Sequence, residues 1–329
     1  MTYDWAFLPM SESTSIVDDP VALRARLEED GYLYLPKLLD RDDVLAVRRD
    51  VLRALGEAGW TDPEALPMAG RVGIEPAREG DPAFFDALDR VQKLESFHTL
   101  AHQPALVAAM RAALGESAFP HPLKIARLVF PDFEAISTPP HQDYPNNQGT
   151  EKLTATWIPL GDMAAELGGL AILRGSHKWG PLPLTNHLGA GNRCAMLPPE
   201  MLEECRWVTT RFEAGDVLVF PSLTVHAALH NLSGMFFRLS IDFRWQLEGE
   251  ALTAGCLEPH FGRLSWDEIY EQWRSDEFQY YWRDLDYDVV PFQELEIVET
   301  LSEDELIAEF LQQQARTAAR QGQRPPVTS

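Results

Sequence analysis

His141 and Asp143 stand one residue apart in the segment PPHQDYPNN. Along an extended chain successive side chains alternate sides, so these two would share a face. An imidazole and a carboxylate on one face can together hold a divalent cation. His226, in GDVLVFPSLTVHAALHNLS, offers a third donor from far down the chain. Two histidines and one carboxylate gathered on one side of a metal leave the opposite positions open, the donor set of non-haem Fe(II) oxygenases. An HxD pair by itself is equally a surface turn, and a lone histidine is equally a satisfied core residue. With nine histidines present, other residues must decide.

Arg238, in FFRLSIDF, follows His226 inside a strongly β-patterned run. A buried arginine is costly unless an anion meets it, and its planar fork matches a carboxylate. That anion is either an acidic neighbour such as Asp242 or the far carboxylate of an oxoacid chelating the metal. Trp157, in TATWIPL, reads first as a core aromatic. Gln142, Tyr144, Asn146 and Asn147 flank the HxD pair and are candidate substrate-facing residues, although polar loop residues ordinarily serve solvation.

The elements that must position these groups are legible in outline. Asp19 and Pro20 open a helix that Gly31 stops. YLYLP is a short β run, and Asp40 caps a second amphipathic helix. Residues 60–90 read as loop with short helices, and residues 94–114 as helical. From about residue 120 the texture changes to short β-prone runs separated by Gly, Pro, Asn and Asp, the rhythm of an antiparallel sandwich or barrel. Residues 250–300 are rich in aromatics (Trp266, Tyr270, Trp273, Tyr280, Tyr281, Trp282) and are expected to wrap the core. Ser302 with Glu305 forms a capping box for a last helix, and residues 323–329 are expected to be a disordered tail. The organisation expected is a single domain over 1–322: helices at about 19–115, a β core at about 120–246 and an extension at about 250–322.

The chain has 329 residues, 45% hydrophobic and 24% charged, with a formal net charge of −23, enough for a sizeable core. A field of that sign repels phosphate backbones and anionic membranes; it reads first as a device for solubility and otherwise favours a neutral or cationic substrate. No apolar stretch approaches the roughly 18 residues of a membrane span, and MTYDWAFLPM lacks the features of a signal peptide. Three cysteines without a CxxC pair fit a reducing, cytoplasmic setting. Oligomeric state is not readable.

Five ordered blocks resemble the phytanoyl-CoA dioxygenase family of 2-oxoglutarate oxygenases: EEDGYLYLPKLLDRDDV, HQD, ELGGLAILRGSHKWG, GDVLVFPSLTVHAALHNLS and RLSIDFRW. Together they cover roughly residues 22–246. The resemblance implies a mainly β fold with flanking α-helices, a double-stranded β-helix or cupin-like jelly roll. It implies that His141, Asp143 and His226 ligate Fe(II), that Arg238 binds the distal carboxylate of 2-oxoglutarate, and that Trp157 sits beside that cosubstrate. Arg127 falls where members place a residue facing cosubstrate or substrate. Two features depart from or refine the pattern. Ala228 stands where a hydroxyl residue often contacts 2-oxoglutarate, and Asp143 keeps the carboxylate that related halogenases replace to admit chloride.

The reaction so implied uses Fe(II), 2-oxoglutarate and O2 to hydroxylate a C–H bond of a small metabolite or natural-product intermediate, releasing succinate and CO2. A phytanoyl-CoA substrate fits poorly, because the phosphates of CoA prefer basic surfaces. Desaturation, epimerisation or cyclisation on the same iron site, a non-catalytic ligand-binding barrel, and a cupin-like enzyme working without an oxoacid are the competing readings.

Overall fold

The computed structural model describes residues 6–77, 80–131, 138–186 and 193–299. The capping box at Ser302 and the tail at 323–329 lie outside them. The fourteen strands among the described residues are β1 (Leu8–Pro9), β2 (Leu33–Leu35), β3 (Ala118–Val129), β4 (Thr154–Pro159), β5 (Leu170–Arg174), β6 (Leu184–Asn186), β7 (Arg193–Ala195), β8 (Arg206–Thr209), β9 (Val217–Pro221), β10 (His226–Ala228), β11 (Arg238–Leu247), β12 (Ala251–Thr253), β13 (Asp288–Val290) and β14 (Ile297–Glu299). One sheet has the order β2-β9-β4-β11-β3, the other β1-β8-β5-β10. Apart from the two-residue β1, which runs parallel to β8, both are antiparallel. Tyr34, Ala155, Trp157, Leu170, Ile172, Val208, Phe212, Leu218 and Phe220 meet between the two sheets. This is the expected jelly roll, with its sheets not closed into a continuous barrel.

Five helices precede β3: α1 (Pro20–Asp30), α2 (Arg41–Glu57), α3 (Pro82–Gln92), α4 (Glu95–Thr99) and α5 (Pro104–Leu114). Asp19 accepts hydrogen bonds from the amides of Val21 and Ala22, and Gly31 closes α1 in the left-handed region at φ 73°, which glycine adopts without a Cβ clash. Asp40 caps α2 in the same way. The helical run expected at 94–114 is divided, because Pro104 starts a new helix at its N1 position. The apolar faces of these helices cover the outer face of the larger sheet, where Val217, Val219, Leu239, Ile241, Phe243 and Trp245 join one core with Leu23, Val51 and Leu106.

That packing decides what β11 does. Its odd-numbered residues from Leu239 to Trp245 are committed to the helical side. Since side chains alternate along a strand, Arg238, Ser240, Asp242, Arg244 and Gln246 all face the interior. The register sets Trp157 of β4 opposite Asp242 and Arg127 of β3 opposite Ser240, so both share that inner face.

Residues 254–287 pack as an aromatic layer outside this frame, with Trp266, Ile269, Tyr270 and Trp282 at its centre. A capping box of Ser265 and Glu268 starts the short helix at Trp266. Trp273 donates its Nε1 hydrogen to Lys93 O and Tyr281 its hydroxyl to Pro120 O, which fastens the layer to the helices and to β3. The His98 ring meets Trp266 edge-on and lies tilted against Trp273 beneath it.

His98 and His121 are 6% and 0% exposed. Burial foremost, helped by Lys124, pushes the pKa of each down to about 3. Unfolded histidines take up a proton near pH 6.5, so between these values the unfolded chain binds more protons than the folded one. Stability is therefore full above about pH 6.5 and falls as the pH drops toward 3, by up to roughly 1.4 kcal/mol per histidine per pH unit. Urea midpoints measured from pH 7 to pH 4 should fall steeply. In a His98→Gln, His121→Gln double variant the slope should flatten, and an unaltered slope would refute the assignment.

Candidate metal centre

The segment carrying His141 and Asp143 is not one extended strand. His141 forms an isolated antiparallel bridge with His226, through His141 N to His226 O and His226 N to His141 O, both 3.0 Å. The chain then turns, with Asp143 in the helical region (φ −74°, ψ −29°) at the N-cap of a short helix, α6 (Tyr144–Asn147). An N-cap aspartate ordinarily accepts from the next turn's amides, but the Asp143 side chain makes no such bond. It points instead at the histidines. The shared face inferred from spacing thus arises through a turn locked by the amides of Asp143 and Tyr144 on Ser222 O.

His141 Nε2 and His226 Nε2 lie 4.0 and 3.9 Å from Asp143 Oδ1. One ligand atom from each of the three residues falls within 4.8 Å of the others, and all three side chains are buried. His141 Nδ1 lies 2.8 Å from Pro139 O and His226 Nδ1 3.0 Å from Thr224 O. A carbonyl only accepts, so each imidazole carries its proton on Nδ1 and leaves the Nε2 lone pair toward the common point.

The electrostatics agree with a metal site. Burial foremost, with His226 adding to it, lowers the His141 pKa to about 3, and burial lowers that of His226 as well. For Asp143, burial opposes ionisation, but Arg244 above all, then His226 and His141, outweigh it and hold the carboxyl at about 2. Neutral imidazoles beside an ionised carboxylate form the protonation state that a cation requires. Asp143 Oδ2 is buried without a hydrogen-bond partner among the described residues, an uncompensated acceptor that a cation would satisfy.

Arg244 is the residue that sequence reasoning missed. Its Nη2 donates to Asp143 Oδ1 at 2.8 Å, and it is 2% exposed. The signal was available in the alternation of Arg238, Ser240, Asp242, Arg244 and Gln246, five polar residues at period two in a strand too apolar on its other face to be solvated.

The remaining candidates are distributed as follows. Arg238 is buried and donates Nη1 to Ser240 Oγ at 3.0 Å, while its Nε has no partner among the described residues. The acidic neighbour Asp242 is taken by Arg127, whose Nε lies 2.7 Å away. No carboxylate among the described residues is within ion-pairing distance of Arg238. Burial foremost, with Arg127 adding, lowers its pKa to about 10. Trp157 packs edge-on against Phe212 between the sheets, and its buried Nε1 has no partner among the described residues. Gln142 points away from the metal ligands: its Nε2 donates to Gly180 O and Leu223 O and its Oε1 accepts from Leu182 N. It clamps two backbone segments, at 180–182 and at Leu223. Asn146 accepts from Arg193 at 3.3 Å, and Asn147 donates to Asp143 O at 2.8 Å. Tyr144 is half-buried at the start of α6. Ala228, on β10, is buried.

Two curated relatives are 1-deoxypentalenic acid 11-beta-hydroxylases. That of Streptomyces arenae is 29% identical over 254 residues, covering 73% of this chain and 86% of the relative. That of Streptomyces exfoliatus is 28% identical over 250 residues, covering 71% and 84%. Among solved structures, the epimerase SnoN in complex with Fe3+, alpha ketoglutarate and nogalamycin RO superposes with a TM-score of 0.51 at 22% identity, covering 71% of this chain and 87% of that one, which shows a shared fold. The sequence model of phytanoyl-CoA dioxygenase (PhyH) matches residues 27–240. That span runs from α1 into β11 and takes in His141, Asp143, His226 and Arg238. By this match over most of its length, the chain belongs to the phytanoyl-CoA dioxygenase (PhyH) family.

Proposed function

We propose that the protein is an Fe(II)- and 2-oxoglutarate-dependent dioxygenase that hydroxylates a C–H bond of a small natural-product intermediate, with release of succinate and CO2. The observation that carries this reading is the convergence of three buried donors, two of them histidines whose tautomer the backbone fixes, on one point. His141, Asp143 and His226 would hold the iron through Nε2, a carboxylate oxygen and Nε2. Ferrous iron with 2-oxoglutarate and O2 supplies the oxidising chemistry when bound.

The protein's own share is binding, orientation and exclusion of water. Pro139 O and Thr224 O hold the imidazole protons on Nδ1, and Arg244 holds Asp143 ionised and turned inward. Arg238 is a buried cation with no acidic partner among the described residues, a costly arrangement that the distal carboxylate of 2-oxoglutarate would relieve. Trp157, on the same inner face opposite Asp242, presents a buried N–H with no partner among the described residues. Arg127 meets Asp242 and serves chiefly to leave Arg238 unclaimed. The relatives are named as hydroxylases of 1-deoxypentalenic acid, which favours a small molecule here too.

The test is anaerobic Fe(II) titration followed by succinate release against a metabolite panel in air. Stoichiometric Fe(II) binding with 2-oxoglutarate-dependent succinate formation is the expected result. Absence of succinate, both with every candidate substrate and uncoupled, would sink the reading. Arg238→Ala should weaken 2-oxoglutarate about a hundredfold, since it removes a charge-assisted pair worth roughly 3 kcal/mol. Fe(II) affinity should stay as in the parent protein. Unchanged 2-oxoglutarate affinity would favour a metal enzyme that works without an oxoacid.

A further inference from the structure

The turn that carries Asp143 is too short to hold itself. α6 has four residues, and so short a helix is marginal without outside support. The support comes from residues beyond the span 27–240 matched by the family. Thr253 Oγ1 donates to Asn147 O at 2.8 Å, the carbonyl of the last residue of α6. Gly149, at φ 81°, lies so near the strand β12 that a Cβ there would stand 2.5 Å from Ala251 O. Thr150 Oγ1 donates to Glu250 Oε2 at 2.8 Å, and Lys152 Nζ to Glu250 Oε1 at 2.6 Å.

Gln148, directly after α6, is the unusual member of this set. Its backbone sits at φ 54°, ψ −155°, a region that glycine enters freely and a side chain enters at a cost. The side chain is 6% exposed. Its Nε2 donates to Gln293 O at 2.7 Å, and its Oε1 accepts from Gln293 N at 2.8 Å. Both hydrogen bonds of one peptide unit's residue are thus met by a single side-chain amide, whose orientation the backbone partners fix. Such strain persists only where surrounding contacts over-determine it, and here those contacts are made by the side chain that causes it.

Gln293 belongs to a stretch that burial barely holds. Phe292 and Val298 are 44% and 63% exposed, and a segment with so little buried apolar surface opens at small cost. It runs from β13, paired with β12, to β14, which lies parallel to β6. Besides Gln148 it touches α6 through Arg193, whose guanidinium lies 5.2 Å from the Phe292 ring while Nη1 donates to Pro145 O at 2.9 Å. We propose that residues 291–299 are a strap that closes on the metal turn, with Gln148 as its latch, so that strap closure and iron binding favour one another. With the strap closed, α6 keeps the one arrangement in which the Asp143 carboxylate faces the two imidazoles. With it open, the four-residue turn frays and Asp143 is free to take the amide hydrogen bonds an N-cap aspartate ordinarily makes. Gln148 is therefore a positioning residue, acting on the metal through Asp143. This rests on the reading of His141, Asp143 and His226 as iron ligands.

Coupling between two sites is reciprocal, so the factor by which iron holds the strap is the factor by which the strap holds iron. Amide hydrogen exchange of the full chain is followed by mass spectrometry, anaerobically, without metal and with saturating Fe(II). Peptides covering 291–299 should exchange about tenfold more slowly with Fe(II), the lower end of what a residue supporting a metal ligand contributes. Gln148→Gly removes the latch together with its strain. Its urea midpoint without metal should stay near the parent's, its calorimetric Fe(II) affinity should fall by the same factor of about ten, and its strap should exchange equally fast with and without Fe(II). Gln293→Pro, which deletes one N–H on the exposed strap and leaves the metal turn untouched, should weaken Fe(II) in the same direction, and it carries the comparison if Gln148→Gly does not fold. Fe(II) affinity unchanged in the variants, or strap exchange indifferent to Fe(II) in a parent protein that binds it, overturns this inference alone. A parent protein that takes up no Fe(II) overturns the iron-site reading and this inference with it.

Discussion

His226→Ala should eliminate 2-oxoglutarate turnover while leaving the fold in place. The side chain supplies one of the three donors that converge within 4.8 Å. Loss of a group that merely supports a metal ligand costs about 10–100-fold in metal affinity or activity, so loss of a donor should cost at least the upper end of that range. The fold should survive because the bridge between His141 and His226 is made by backbone atoms, which alanine retains. The ring's packing against Phe220 and His141 is lost, a core truncation of ordinary size. Fe(II) binding by calorimetry, succinate release and the far-ultraviolet dichroism spectrum together decide the matter. Parent-like succinate formation in a folded His226→Ala protein would remove the basis of the assignment.

Arg244→Met should have the second largest effect, and a different signature. Methionine fills similar volume, but the Asp143 carboxylate, 3% exposed, is left buried without its counter-charge. Breaking such a pair from one side costs about 3–5 kcal/mol, read as a lower urea midpoint of the metal-free protein. Arg244 is the largest influence holding the Asp143 pKa down; without it the carboxyl binds its proton more readily. Fe(II) must then displace that proton, so metal affinity should fall about 10–100-fold and fall further as the pH is lowered. Arg244→Lys should recover part of the loss by restoring charge without the planar fork. A merely structural arginine would lower stability without making Fe(II) affinity depend more steeply on pH, and that outcome would refute the positioning role.

Much of the arrangement was legible in the chain. Asp19, Asp40 and Gly31 announce their helix ends because capping is a local matter between a side chain and the next turn's amides. The β-prone runs from residue 120 onward announce a sandwich because alternation and turn residues are also local. The donor types at His141, Asp143 and His226, with the resemblance carried by five blocks, identified the family and the chemistry.

What the chain could not state were the pairings. Asp242 could belong to Arg238 or to Arg127, and period two only says that residues share a face. The register of β11 against β3, fixed by apolar side chains packing under the helices, gave Asp242 to Arg127 and left Arg238 with a serine hydroxyl. The same packing turned Arg244 inward onto Asp143, and the turn at Asp143 replaced the extended segment that spacing suggested. Gln142, between the two HxD residues, was committed to three carbonyl and amide partners from distant segments. Residue type and spacing determine which chemistry is available, since they follow from local geometry. Which donor meets which acceptor is decided by contacts between residues far apart in the chain, and those exist only once the sheets and helices have packed.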